Sequence, residues 1–285
     1  MEYFAPKTLT DTLAVLARLR GKARVIAGGT NVIPDLRAKD LKPNALIDIS
    51  HLKNLSYVKE EKKRIKIGGL TALSEIASSK VILKYAPILS EVAWHLGNPL
   101  VRNRATLAGN LADASPAADT AVPLLALEAT IVTDRHGKKG REIPIDQFFI
   151  GPNKTVLKPD EIIKEVFFPK PDSQAGFAYR KLGLRNAMAI SVVSVAVLLE
   201  MDGEVCRKTT ISLGAVAPTP MRAYKTEAKL TGQAITERLI KACCEEIEGE
   251  VRPISDIRAS ADYRRSMASV LFRRCVDQIF SERNS

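Results

Sequence analysis

Arg24-Val25-Ile26-Ala27-Gly28-Gly29-Thr30-Asn31-Val32 is the stretch on which the reading of the fold turns. Its opening run, Arg24 to Ala27, has the apolar and β-branched character of a short buried strand. The run stops at two adjacent glycines. A glycine turn at the end of a strand can converge consecutive backbone N–H groups on one point, and the missing Cβ atoms let a ligand come within hydrogen-bonding distance. Such a loop suits a pyrophosphate. The same residues also make a plain tight turn between strand and helix, and the segment alone leaves both readings open. No third glycine follows in GxGxxG register and no GxxxxGK[ST] occurs, which disfavours a Rossmann domain and P-loop nucleotide hydrolysis.

Upstream, Leu9, Leu13, Leu16 and Leu19 recur at helical spacing, predicting a helix over 8–20 that Gly21 stops. Downstream, strands are expected over 45–49 and 64–67, the second followed by Gly68-Gly69 and a helix over 72–78, an alternating α/β texture. Leu83, Ile88, Val92 and Leu96 predict one helix over 82–96, ended by Gly97-Asn98-Pro99 with a loop beyond. A strand over 129–133, a basic turn over 136–140, an edge segment over 143–149 and a strand over 162–168 follow. Pro169-Lys170-Pro171-Asp172-Ser173 is the best linker in the chain and divides it into 1–172 and 173–285. The second part reads as an α+β unit: strands over 177–182, 191–200 and 209–216, a hairpin turn at 201–204, and helices over 236–248 and 261–282.

A second informative segment joins Thr106, Gly109 and Asn110 to Asp119, nine residues after Asn110. Hydroxyl, amide and carboxylate groups among small residues can hold hydroxyls, a phosphate or the polar edge of a ring. A buried loop satisfying its own backbone has the same composition.

Bulk properties narrow the function. The 285 residues exceed the common single-domain size, and 46% hydrophobic with 26% charged residues describes an ordinary globular protein. The longest apolar candidate, 187–199, is too short for a membrane span and holds Ser191 and Ser194. Residues 1–7 lack the basic and apolar regions of an export signal, so a cytoplasmic location is expected. Cys206, Cys243, Cys244 and Cys275 show no CxxC spacing, and His51, His95 and His136 none of the i, i+4 kind, leaving little material for a metal site or histidine catalysis. The net charge of +11 is spread along the chain, with short groups only at Lys62-Lys63-Arg64 and Arg264-Arg265. A solvated surface or an acidic protein partner explains it better than nucleic acid.

Taken together, the two segments resemble a known family. Val25 to Asn31 and Arg102-Asn-Arg-Ala-Thr-Leu-Ala-Gly-Asn-Leu-Ala112, continued by Ala114-Ser-Pro-Ala-Ala-Asp119, look like the two FAD-binding loops of the medium subunit in the xanthine dehydrogenase and carbon monoxide dehydrogenase family of molybdenum hydroxylases. Arg180-Lys-Leu-Gly-Leu-Arg185, followed by Ala189-Ile-Ser-Val-Val-Ser-Val-Ala-Val197, resembles the start of that family's C-terminal domain. The likeness spans essentially the whole chain.

The resemblance implies an α+β protein: an N-terminal FAD-binding region of two small α/β subdomains, of the vanillyl-alcohol-oxidase (PCMH-like) type, then a C-terminal α+β domain with an antiparallel sheet. It implies that Val25, Ile26, Ala27, Gly28, Gly29, Thr30, Asn31 and Val32 wrap the pyrophosphate. It assigns flavin contacts to Ala105, Thr106, Gly109, Asn110, Leu111 and Asp119, with Ile163 and Lys181 near the isoalloxazine. No catalytic side chain and no metal ligand is expected in this chain. Its partners would be a large molybdenum-cofactor subunit and a small subunit with [2Fe–2S] clusters, in a dimer of heterotrimers that delivers electrons through FAD to NAD or another acceptor. Relatives with an extra [4Fe–4S] cluster hold it on a cysteine-containing insertion, and this chain has no such cysteine group.

Two positions depart from the pattern: Ala108 stands where many relatives have glycine, and Asn31 where an acid or serine is frequent. Ala108 would obstruct FAD only if its backbone needed positive φ or direct contact with the ligand. The alternatives are a free-standing FAD-dependent oxidoreductase, disfavoured by the short C-terminal part and the lack of a catalytic His or Tyr cluster, and a cofactor-free assembly or binding protein.

Overall fold

The computed structural model describes residues 1–283. The chain opens with a small parallel sheet in which the strand Ala45–Asp48 lies between Glu2–Phe4 and Ala23–Ile26. The helix Leu9–Leu19 begins where the Thr8 hydroxyl accepts the Asp11 backbone N–H at 3.1 Å, a cap worth about 1 kcal/mol. It buries Leu13 and Leu16 against Ile47, Ile49 and Leu52, each leucine contributing about 1.5–3 kcal/mol.

The second layer is an antiparallel sheet of five strands in the order Val58–Glu60, Arg64–Gly68, Glu161–Pro169, Thr130–Arg135, Glu142–Pro144. Helices Leu73–Ser78, Lys80–Tyr85, Pro87–His95, Leu107–Asp113 and Ala121–Ala126 contribute to the same core as this sheet. The single helix expected over 82–96 is two. Pro87 has no N–H to donate and excludes helical geometry at the residue before it, and Ala86 takes φ −150°, ψ 59°. The loop expected after Gly97-Asn98-Pro99 is a short helix, Pro99–Arg102: a proline at the first helical position loses nothing, and the Asn98 side chain accepts the Val101 N–H at 2.9 Å. The edge segment expected over 143–149 is interrupted by a 3₁₀ turn at Ile145–Gln147, after which Phe149–Gly151 pairs with Lys154–Thr155 instead.

From residue 176 onward the chain builds a four-stranded antiparallel sheet in the order Gly176–Leu182, Val193–Asp202, Val205–Gly214, Met221–Arg222. Val193–Asp202 is buried along its first seven positions because both of its faces are covered. Val195 and Val197 lie in a core with Phe272 and Ile279 of the helix Ala261–Arg283, while Ala196 packs with Val122 and Ala126. A strand covered on both faces reads as a continuous apolar run rather than an alternating one. The long helix approaches so closely that a Cβ on Gly176 would lie 2.3 Å from Ile279 Cγ2. Helices Tyr224–Leu230 and Glu237–Glu250 complete this part. No helix among the described residues is long and apolar enough to cross a membrane.

Candidate functional site

The strand Ala23–Ile26 delivers the chain into the glycine loop, and the local backbone explains both glycines. A Cβ on Gly28 would lie 1.8 Å from the Arg104 carbonyl oxygen, so the two motifs touch there through bare backbone. Gly29 takes φ +73°, a left-handed geometry that costs other residues about 1–2 kcal/mol. The helix Val32–Ala38 then begins, with the Ile33 N–H bonded to the Gly29 carbonyl at 3.1 Å. The backbone N–H groups of Gly28, Gly29, Thr30, Asn31 and Val32 have no partner among the described residues. Backbone donors left open at a strand-to-helix turn form a nest for an anion.

The opposite wall is the second motif, and it is a helix N-terminus rather than an open loop. Thr106 is its cap: the Oγ1 accepts the Gly109 N–H at 3.1 Å, and Leu107–Asp113 is helical. The wall is fixed from behind, because the Leu107 N–H donates to the Thr71 carbonyl at 3.1 Å and the Ala108 N–H to the Gly69 carbonyl at 3.0 Å. Ala108 has helical backbone, and its methyl fits because Gly69 lies opposite: a Cβ there would be 3.2 Å from it. Ala108 also lines the cleft between the two walls, with its methyl close to Gly69.

Between the walls runs a cleft of about 330 Å³, of the size that takes an extended cofactor. Of the residues singled out from the sequence, Val25, Ala27, Gly28, Gly29, Thr30, Asn31 and Val32 line it from one side; Ala105, Thr106, Ala108, Gly109 and Asn110 line it from the other, and Ile163 lines it too. Ile163 reaches the cleft beside a bulge in Glu161–Pro169, where the pairing register shifts between Ile163 and Glu165 and the Lys164 carbonyl accepts the Gly69 N–H at 2.8 Å. Ile26, Leu111, Asp119 and Lys181 do not line it. Ile26 packs under Gly29, and Leu111 is wholly buried in the core. Asp119 and Lys181 form a buried ion pair at 2.6 Å, and the Ser191 hydroxyl donates to the other carboxylate oxygen at 2.6 Å.

A third wall runs from Leu157 to Ile163, and of it the sequence reading had singled out only Ile163. It brings Lys158 to the cleft, and Arg24 joins it from the first strand. Burial works to raise the Glu161 carboxyl, but Arg141 and the Lys158 backbone N–H together hold it below its ordinary value. Its charge is already matched, so Lys158 and Arg24 bring positive charge to this side of the cleft, while Asp113 lines it from the second motif. The sequence signal for this wall was Lys158-Pro159-Asp160, a turn immediately before the central strand, which carries no chemistry until the fold swings it beside Gly21.

A strand-glycine-helix nest facing a capped helix across one cleft, with a separate antiparallel domain behind, defines a flavin-holding class of protein. Residues 1–171 match the family of the FAD-binding domain in molybdopterin dehydrogenase, and residues 177–279 match the C-terminal domain of CO dehydrogenase flavoprotein. The chain belongs to this family, the FAD-binding subunits of carbon monoxide and xanthine dehydrogenase-type oxidoreductases. It is 31% identical over 277 residues to the carbon monoxide dehydrogenase medium chain of Hydrogenophaga pseudoflava, covering 97% of this chain and 96% of that one. It is 29% identical to the nicotinate dehydrogenase FAD-subunit of Eubacterium barkeri, covering 99% and 96%. A solved structure of carbon monoxide dehydrogenase from Hydrogenophaga pseudoflava, lacking the Mo-pyranopterin moiety of its cofactor, superposes with a TM-score of 0.95 at 31% identity, covering 99% of this chain and 97% of that one.

Proposed function

We propose that this chain is the electron exit of a cytoplasmic, multisubunit molybdenum hydroxylase. Electrons reach it from [2Fe–2S] clusters on a small partner subunit, after a large molybdenum subunit has oxidised the substrate, and leave to NAD or another acceptor. The working assembly is a dimer of heterotrimers, and the chain divides at 172/173 into a FAD-binding domain and a C-terminal domain. FAD, when bound, supplies one-electron acceptance and two-electron delivery. The chain's own residues bind, orient and bias it.

In this reading Gly28 to Val32 donate their open N–H groups to the pyrophosphate, with Val25 and Ala27 beside them and Ile26 supporting the turn. Ala105, Thr106, Gly109 and Asn110 form the facing wall, supported by Leu111, and Ile163 closes the ring end. Asp119 and Lys181 pair outside the cleft lining, and in this reading the Lys181 charge favours the anionic reduced ring. The observation that carries the proposal is the row of unpartnered backbone N–H groups from Gly28 to Val32, facing Thr106 and Asn110 across one cleft. The experiment is an absorption spectrum with acid-released cofactor analysis of protein purified from its native host, together with identification of copurifying chains. FAD with molybdenum and iron–sulfur subunits supports the proposal; FAD alone favours a free-standing oxidoreductase, and no flavin an assembly protein.

A further inference from the structure

Asn110 faces the glycine loop across the cleft, and its amide serves an oxygen-rich ligand in only one orientation. A carboxamide offers an accepting oxygen on one branch and a donating NH₂ on the other, and its neighbours decide which branch points outward. Thr120 makes that decision. Its hydroxyl, on a residue 0% exposed, donates to Asn110 Oδ1 at 2.5 Å and has no other acceptor among the described residues, so a reversed amide, donating to the same oxygen, would leave the buried hydroxyl proton unpaired. With Oδ1 engaged on the protein side, Nδ2 has no partner among the described residues. Asn110 itself lines the cleft.

Thr120 is held on both sides. The residue before it, Asp119, is clamped by Lys181 and Ser191, each at 2.6 Å. The residues after it form the helix Ala121–Ala126, which hangs from the C-terminal sheet: the Ser212 hydroxyl donates to the Val122 carbonyl at 2.6 Å and the Thr210 hydroxyl to the Ala126 carbonyl at 2.5 Å. The backbone on both sides of Thr120 is anchored, and its side chain is 0% exposed.

We propose that Thr120 is a positioning residue that locks the Asn110 amide with its NH₂ toward the cleft, where it donates to an acceptor oxygen of the bound dinucleotide. Both walls then present donors, backbone N–H groups on one and Nδ2 on the other. A reversed amide would set its carbonyl oxygen against ligand oxygens. The inference rests on the FAD reading and adds to it a residue that lines no part of the cleft.

The test is FAD titration of the flavin-free full chain, with urea unfolding of the same preparation. Thr120→Val keeps the shape and removes the hydroxyl. It is expected to weaken FAD binding about tenfold, the size of one oriented hydrogen bond. Thr120→Ser is expected to restore affinity to within about twofold, and Thr120→Val to add no further loss in an Asn110→Ala background. Asn110→Asp, which still accepts from Thr120 but turns an oxygen to the cleft, is expected to weaken binding more than Thr120→Val, and it answers the question if the valine variant does not fold. Wild-type affinity in Thr120→Val or in Asn110→Asp, a stability loss without an affinity loss, or additive losses in the double variant would each overturn the proposal. Wild-type chain that takes up no FAD removes the FAD reading itself, and this inference with it.

Discussion

The two walls of the cleft solve the same problem in opposite ways. The glycine loop, Gly28 to Val32, offers backbone N–H groups, and what shapes it is local: a strand behind, a helix ahead, and glycines where φ or contact demands them. The second wall offers the Asn110 side chain, and what aims it comes from far along the chain: Gly69 behind Ala108, and Thr120 held through Asp119 by Lys181 and Ser191. Backbone donors need only the correct turn, whereas a side-chain donor needs a neighbour to choose its rotamer and orientation. One wall is therefore built by sequence-local geometry, and the other is borrowed from the C-terminal domain.

The contrast breaks most sharply at Gly28. Gly28→Ala sets a methyl against the Arg104 carbonyl, a backbone atom that cannot yield without moving the second wall. FAD uptake should be abolished and the flavin-free chain destabilised by at least about 3 kcal/mol, read by flavin titration and urea unfolding. Retained FAD binding would mean the walls need not touch.

Lys181→Met probes the borrowed wall. It leaves the Asp119 carboxylate buried with only Ser191, expected to cost about 2–3 kcal/mol. It should also lower the flavin midpoint potential by about 30 mV, equivalent to a tenfold change for a two-electron couple. An unchanged potential in spectroelectrochemistry would remove Lys181 from the flavin's surroundings while leaving the clamp.

Acid should loosen the second wall before the first. The Arg258 backbone N–H, opposed by partial burial and helped by the Arg264 guanidinium, holds the Asp256 carboxyl down to about 2 from its ordinary 3.8. A carboxyl lowered by folding stabilises the fold above about pH 4, and the contribution is lost as the pH falls toward 2. Arg264 also donates to the carbonyls of Val192 and Ala215, and the Ala215 N–H donates to the Pro116 carbonyl within the second motif. Hydrogen exchange between pH 4 and 2 should rise first in residues 114–120 and 252–260, and Asp256→Asn should abolish that order of events.

The smallest effect is expected at Ala108. Ala108→Gly places here the residue that the family resemblance expects, removing a cleft-lining methyl that lies close to Gly69 and adding backbone freedom to a helix. A loss of about 1 kcal/mol with FAD affinity within twofold is expected by the same titrations. A large gain in affinity would show that the methyl intrudes on the ligand.

Much of this was legible in the residues. The run 191–200 announced a strand, and Gly28-Gly29 announced a turn that brings N–H groups together. Where the reading missed, another rule held. Pro87 split a helix whose apolar spacing continues across it, and Thr106 was a cap hidden among small residues that carry no helical periodicity. Of the wall from Leu157 to Ile163 only Ile163 was foreseen, because Lys158 and Pro159 become part of the site only when the fold places Pro159 beside Gly21.

The sequence by itself determined the glycine loop, the alternation of strands and helices, and the family, because turn chemistry and hydrophobic period act over a few residues. Tertiary structure alone decided that Asn110 meets Thr120, that Asp119 and Lys181 pair, and that the Ala108 methyl lies close to Gly69. Each depends on a partner ten or more residues away, and no local pattern in the chain records that distance.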